Sequence, residues 1–572
     1  MSRRIPMFGL LAALTVAAAA VEAAPQYVPS PPLREVLAAA AVGEVGSGVV
    51  QVPIITWGGD IATIYANGNQ ARTRAGSLAA AEGLDLNLVR EDVFSKQVQA
   101  YLAGKSPYLR GTMGMVNMAA EVLGKDPRTK PVVIYQLTWS AGGDALVVKS
   151  GIGAARDLKG KTIALQAYGP HVDYMTKVLA DAGLSVDDVN IRWAPDLTGT
   201  ANAPMAAFQQ KDVDAAFVII PDALVLTAGG SVGTGAEDSV KGARILLSTK
   251  TANRVIADVY AVRSDYLQKN RRSVESFVHA LMLGEEKLRD LVKNKAGRGA
   301  DYRATFAAAA QLLLDSKDAV ADAEGLYADA EFVGHAGNVD FFENAAYPRN
   351  LAALNGEIQR SFAGIGLMKG NVALAAAGWD YARLRQGLSA ATVATGRFDE
   401  GQVAAVVARK QQQGTLAEGE LFSFEIFFQP NQNTFSADLY QADFAKVIDL
   451  ASTYGGALIT IEGHSDPMGY LKDKKDGKPE VVLTRVKQAA KNLSLSRSVA
   501  VRDNIIAYAR QKGISLDESQ FAVVGHGIAK PRNGVCGTEP CAPKTEREWR
   551  DNMRVEFRII QVEAESSVFK PL

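Results

Sequence analysis

The stretch "DLKGKTIALQAYGPHVDYMTKVLADAGL", Asp157 to Leu184, reads as strand, turn and helix in immediate succession. "KTIALQAYG" has the pattern of a strand, and "HVDYMTKVLADAGL" has a helical period. Between them, Gly169 allows close backbone approach and Pro170 suits the first position of a helix. The amides of His171 and Val172 then point outward at a helix N-terminus, which carries unpaired N–H donors and about half a positive charge. Such a terminus binds an anion without a formal cation. Working outward, strand-like and helix-like segments alternate on both sides: "VVQVPIITW", "DLNLVRE", "PVVIYQL" and "DALVVKS" before it, "VNIRWA", "NAPMAAFQQ" and "VDAAFVII" after it. This alternation predicts an α/β architecture with largely parallel sheets.

The chain has 572 residues, of which 48% are hydrophobic and 22% charged, enough for several independently cored domains. Lys+Arg and Asp+Glu both number 62, so no global field favours nucleic acid or an anionic membrane, and any charge selectivity is local. At the N-terminus Arg3-Arg4 precedes the apolar run "MFGLLAALTVAAAA" and then "VEAAPQ", the pattern of a secretory signal peptide cleaved after Ala23. The run is shorter than the ~20 residues that cross a bilayer, so no stable membrane insertion is expected. The only two cysteines, Cys536 and Cys541 in "CGTEPC", sit in a polar loop, where an oxidising compartment favours a local disulfide; without a nearby histidine they make an incomplete zinc set.

From Val49 to Leu291 the chain resembles the periplasmic solute-binding proteins of ABC importers, in the nitrate, sulfonate and taurine branch. The carriers are the stretch quoted above, "FQQKDVDAAFVIIPDAL" and "TANRVIADVYAVRSDYLQKNRRSVESFVHALM", in that order. The resemblance implies a type II binding-protein fold of two α/β lobes, with crossovers near Ala141 to Asp144 and Ser248 to Val255. It also implies ABC permease partners and a small anionic solute of the nitrate, sulfonate, taurine or phosphate kind. Candidate ligand-binding residues in the cleft are Trp57 and Gly58 at one strand end, Asn117 in "GTMGMVNMAA", Gly142 and Gly143 at the crossover, and Tyr168, Gly169, His171 and Val172 in the central turn.

Catalytic patterns fit less well. Gly160-Lys161-Thr162 lacks the earlier P-loop glycine, which is replaced by Ala155, and "GIGAAR" lacks the third glycine of a dinucleotide loop. His171, His279, His335, His464 and His526 show no HExxH spacing. The first domain has no cysteine to match the Cys-rich motif of the thiamine-pyrimidine synthases that share this fold. No enzyme activity, cofactor or metal is expected.

The C-terminal part reads strand "LFSFEIFFQ", helix "SADLYQADFAKVIDLAST", strand "ALITIEG", helix "SRSVAVRDNIIAYARQKG", strand "FAVVGHG" and strand "MRVEFRIIQV", a βαβαββ order. Over about Glu418 to Glu563 it resembles the OmpA-like peptidoglycan-binding domain, carried by "IEGHSD", "LSLSRSVAVRDNI", "GHGIAKP" and "NMRVEFRI". The family pattern puts Leu493, Ser494, Arg497 and Val501 in register and Asp466 in the acidic loop. The diaminopimelate of peptidoglycan offers an ammonium beside a carboxylate. Asp466 is expected to accept from the first and Arg497 to fork onto the second. Ala490 departs from the family's asparagine, and "LKDKKDGKPEVVLTRVKQ" is expected as a solvated loop with a short helix.

The expected organisation is a signal peptide over 1–23, a linker over 24–48, a solute-binding domain over 49–330, a helical extension and linker over 331–417, the OmpA-like domain over 418–563 and a tail over 564–572. The expected function is a periplasmic, wall-associated receptor for ABC import. The alternatives are a ligand sensor without transport and an enzyme on the binding-protein fold.

Overall fold

The computed structural model describes residues 24–389, 400–413, 420–427, 440–537 and 539–560. The expected signal peptide, the tail and part of the spacer between the domains lie outside these residues. Among the described residues no helix is long and apolar enough to cross a membrane.

The chain builds a first lobe from β1 (Val50–Ile54), α1 (Asp60–Ala66), β2 (Leu86–Arg90), β3 (Tyr108–Thr112), α2 (Met113–Leu123) and β4 (Pro131–Ser140). It then crosses at 141–143 into a second lobe of β5 (Asp144–Val148), β6 (Thr162–Gln166), α3 (Val172–Asp181), β7 (Asn190–Ala194), β8 (Ala215–Ile219), α4 (Ile220–Leu226) and β9 (Arg244–Ser248). The second sheet has the order β7-β6-β8-β5-β9. A return crossing over 249–256 leads to β10 (Ala257–Arg263), α5 (Ser264–Lys293), α6 (Val320–Ala328) and β11 (Ala330–Phe332).

The expectation of largely parallel sheets needs correction. β1 pairs β2 in parallel, and β6 pairs β7 and β8 in parallel, but β10 runs antiparallel to both β3 and β4, and β5 antiparallel to β8 and β9. The cause is the double crossing: a strand returning from the other lobe enters the first sheet in the opposite sense.

Two boundaries also move. The first lobe does not end at residue 330, because β11 pairs with β4, Trp379 donates to the Ile134 carbonyl, and Tyr381 and Leu384 lie in the same core as β4 and α5. Helix α7 (Leu351–Gly364) packs against both α2 and α3, joining the two lobes on one side. The expected linker over 24–48 is a strap. Its Val28 amide donates to Trp193 of the second lobe, while Arg34 pairs with Glu121 and the Gly43 amide donates to Leu102 of the first. Its own Leu33 and Leu37 are buried.

The C-terminal domain contains α8 (Glu400–Gln413), β12 (Glu420–Phe427), α9 (Gln441–Thr453), β13 (Leu458–His464), α10 (Met468–Lys475), α11 (Glu480–Gln511), β14 (Phe521–Gly527) and β15 (Arg554–Ile560), with sheet order β12-β15-β13-β14. Phe444, Val447 and Ile448 of α9 and Val501 and Ile505 of α11 share a buried core with Ile459, Ile461 and Phe557 of the sheet. On the other face Val403, Val406 and Val407 of α8 cover Leu458, Val524 and Ile560. The segment expected as a solvated loop is folded: α11 starts at Glu480, and Leu483 packs with Tyr470 and Ile528. Cys536 and Cys541 are joined by a disulfide across a two-rung hairpin.

Candidate functional site

The two crossings run side by side, and Thr249 ties them together. Its hydroxyl accepts from the amides of Gly142 and Asp144 at 3.1 Å each and lies 2.9 Å from the Ser140 hydroxyl. Gly142 has φ +152°, and a Cβ there would stand 2.6 Å from Asp329 Oδ1. A Cβ on Gly143 would meet the Trp57 ring at 2.5 Å. Trp57 therefore packs against the first crossing, its indole N–H donating to Thr138 Oγ1 at 3.0 Å. Burial pushes the Asp329 carboxyl up to about 6, against the pull of Lys250.

The C-terminal ends of β6, β7 and β8 bring further polar groups to the same edge, where open α/β sheets place their ligand crevices. His171 is fully buried, with Nε2 2.7 Å from Asp144 Oδ1; the other Asp144 oxygen accepts from Ser140 at 2.6 Å. Asp222, in the first turn of α4, accepts from Thr198 at 2.9 Å. Asp173, in the first turn of α3, faces Gly114 of the first lobe, where a Cβ would come within 2.7 Å of its carboxyl carbon. Burial pushes the Asp173 carboxyl up to about 8. The backbone amides of its own turn oppose this rise.

Of the residues expected to bind solute, Trp57, Gly142, Gly143 and His171 converge on this edge. Tyr168 sits beside it with φ +59°, its hydroxyl donating to Pro31 of the strap at 2.5 Å. Gly169 packs tightly on Gln166, and Val172 is buried in the core. Gly58 is covered by α6, whose Leu326 carbonyl leaves no room for a Cβ. Asn117 is locked away from the crossings: it accepts from Gln359 at 2.6 Å and donates to Met113 at 2.9 Å. Asp144, Asp173, Thr198, Asp222 and Asp329 were missed. The one local cue among them is Asp222 in "IIPDAL", an acid one residue after a proline that opens a helix at a strand end.

In the C-terminal domain α11 lies close on the sheet. A Cβ on Gly463 would stand 2.2 Å from the Ser494 carbonyl, and the Ser494 hydroxyl accepts from the Gly527 amide at 2.9 Å. This contact sets Arg497 of α11 near Asp466, which follows β13. Asp466 Oδ1 accepts from the Met468 amide at 2.9 Å. Arg497 is half-buried, its Nε has no partner among the described residues, and burial lowers its pKa while Asp466 opposes that. The two do not pair directly, so both keep hydrogen-bonding capacity for a third group.

Glu462, His464 and His526 could in principle hold a cation, with ligand atoms within 4.8 Å of one another. Arg558 already binds Glu462 at 2.9 Å and also Glu556, which Arg554 contacts as well. The Arg558 guanidinium on Glu462, with a second guanidinium beside it on Glu556, disfavours a dication there, and burial depresses His464 to about 3.

Residues 80–290 match the family model described as NMT1/THI5 like. No curated protein matches the chain. Among solved structures, the periplasmic aliphatic sulphonate binding protein SsuA from Escherichia coli is similar at 16% identity over 61% of this chain and 96% of its own, with a TM-score of 0.40. The alkanesulfonate-binding protein SsuA from Xanthomonas axonopodis pv. citri, bound to MOPS, is similar at 17% identity over 57% and 98%, with a TM-score of 0.39. The desulfurization enzyme DSZB is similar at 19% identity over 57% and 94%, with a TM-score of 0.35.

Proposed function

We propose that the chain is a solute-binding receptor of ABC-type import, exported to the periplasm and held at the cell wall by its C-terminal domain through Asp466 and Arg497. The observation that carries the receptor reading is the meeting of two α/β lobes at paired crossings, with buried polar groups gathered at the strand ends of the second lobe. The NMT1/THI5 like match over 80–290 supports it, and the sequence resemblance adds a small solute with an anionic group and ABC permease subunits as partners. The anchor reading is supported by an acid and a guanidinium that are close but not joined.

One experiment tests each half. Thermal melting of the full mature chain against nitrate, phosphate, sulfonates, amino-sulfonates and an uncharged sugar is expected to show a rise with one charged class, since a ligand that binds only the folded state stabilises it by mass action. A response to the sugar alone would overturn the charged-solute reading. The parent chain is expected to pellet with insoluble peptidoglycan, and Asp466→Asn and Arg497→Lys to stay in the supernatant. If both variants pellet like the parent, the anchor reading falls.

A further inference from the structure

We infer that Asp222, His171 and Asp144 form a subsite for a group rich in N–H donors, an ammonium or amidinium carried by the solute. The inference rests on the receptor reading and narrows it.

It begins with atoms that lack partners. Asp222 is 8% exposed; its Oδ1 takes the Thr198 hydroxyl, but its Oδ2 has no partner among the described residues. His171 is 0% exposed, and its Nδ1 is likewise unpartnered. The kind of atom matters. Asp144 Oδ1 can only accept, so the His171 nitrogen 2.7 Å from it carries the hydrogen. In the neutral ring Nδ1 is then an acceptor with nothing to accept. Asp222 Oδ2 is also an acceptor, and it stands at the same edge of the sheet, after β8 where His171 follows the neighbouring β6. Across the same edge the Asp173 carboxyl, 3% exposed, also has no hydrogen-bond partner among the described residues.

Buried polar groups are almost always satisfied, and exceptions that cluster need an explanation. The Asp222 and His171 orphans are both acceptors, so the partner they lack must bring hydrogens. A sulfonate or phosphate oxygen brings none. A water molecule brings two hydrogens and no charge, and is the occupant a ligand would displace. An ammonium brings three with a positive charge, which answers the Asp222 carboxylate as well as the imidazole nitrogen. The group sits where the solute would be held: His171 follows β6, Thr198 follows β7, Asp222 follows β8, and Asp144 opens β5 beside the first crossing. Trp57, laid on the adjacent Gly143, supplies an apolar wall. Any negative group on the same solute is left to other parts of the cleft, so the inference is compatible with an anionic end.

The test uses three two-carbon probes on the full mature chain: ethanolamine, ethylene glycol and isethionate, read by thermal shift and calorimetry. Ethanolamine is expected to raise the melting temperature more than ethylene glycol, the difference being the ammonium. Asp222→Asn keeps the shape and removes the charge. It is expected to weaken ethanolamine about tenfold or more, in line with loss of a charge-assisted hydrogen bond, while leaving any isethionate response unchanged. Thr198→Val frees Asp222 Oδ1 and is expected to weaken ethanolamine less. Circular dichroism and melting of the free variants check that they fold. Equal responses to ethanolamine and ethylene glycol, or an ethanolamine response indifferent to Asp222→Asn, would overturn the inference. A response to isethionate with none to ethanolamine would sink it while the receptor reading stands; failure of every solute in the wider panel would sink the receptor reading itself.

Discussion

Two buried charged clusters lie on either side of the crossings, and they are finished differently. In the first lobe Arg110 donates to Asp60 at 2.7 and 3.0 Å, to Asp258 at 2.7 Å and to the Gly111 carbonyl at 3.2 Å; Thr138 donates to the remaining Asp258 oxygen. That cluster is saturated and closed. In the second lobe Asp144, His171, Asp222 and Asp173 are equally buried, yet four of their polar atoms have no partner among the described residues. Burying an unmade hydrogen bond is costly, so a fold that only needed stability would have closed both. The difference separates a cluster that holds the first lobe together from one kept open for something else.

The largest expected effect breaks the closed cluster. Arg110→Met leaves Asp60 and Asp258 buried without a cation, and removing one partner of a buried ion pair costs about 3–5 kcal/mol. Urea or thermal unfolding should show that loss, while Asp222→Asn should stay within about 1 kcal/mol of the parent, because its carboxylate has no cation to lose. Comparable losses in the two variants would erase the distinction.

A second, smaller effect is a pH dependence. Burial holds the Asp173 carboxyl at about 8, whereas an unfolded aspartate titrates near 4. The folded chain therefore keeps a proton that the unfolded chain releases. Stability from this group is complete below about pH 4, declines by about 1.4 kcal/mol per unit as pH rises, and is lost above about pH 8. Asp173→Asn cannot ionise, so its stability relative to the parent should climb between about pH 5 and 8. A constant difference across that window would mean that the carboxyl has found a donor and that the second cluster is closed after all.

Much of this was legible in the sequence, and the rest fails for identifiable reasons. Strands β4 to β8 and the turn at Gly169-Pro170 are local patterns, and both crossings fall where the sequence places them. Strand sense was not local: it depends on β10 returning from the other lobe. Helix α11 was read too short because its first turns are rich in charge, yet Leu483, Val486 and Ala490 recur at helical spacing and all pack with Tyr470. The open cluster was invisible because its members meet only in three dimensions. His171 and Asp144 are 27 residues apart, Thr198 and Asp222 are 24, and an aspartate at a strand end carries no sign of whether its second oxygen will find a donor.

The smallest expected effect sharpens the comparison with a third cluster, at the junction between the two crossing-linked lobes and the C-terminal domain. Lys177 of α3 lies 3.0 Å from Asp181, 3.4 Å from Glu357 and 2.9 Å from Asp449 of α9, and Tyr454 donates to Asp181 at 2.7 Å. Two backbone bonds run alongside: the Arg254 amide donates to Thr453 and the Gly456 amide to Thr251, both on the return crossing. A Cβ on Gly456 would stand 1.8 Å from the Lys250 carbonyl, so the turn after α9 sits directly on that crossing. This cluster is paired like that of Arg110, but across two domains, and Asp449 is partly open to solvent, so each contact is worth less. Tyr454→Phe keeps the ring and deletes one hydrogen bond to a carboxylate, an expected cost of about 1.5 kcal/mol that falls on docking and not on either domain alone. Amide hydrogen exchange is the measurement: Arg254 and Gly456 should exchange about tenfold faster in the variant, with the amides around Arg110 unchanged. Unchanged exchange at Arg254 and Gly456 would show that the tyrosine hydroxyl does not hold the C-terminal domain on the crossing, and that the shared apolar core carries the docking by itself.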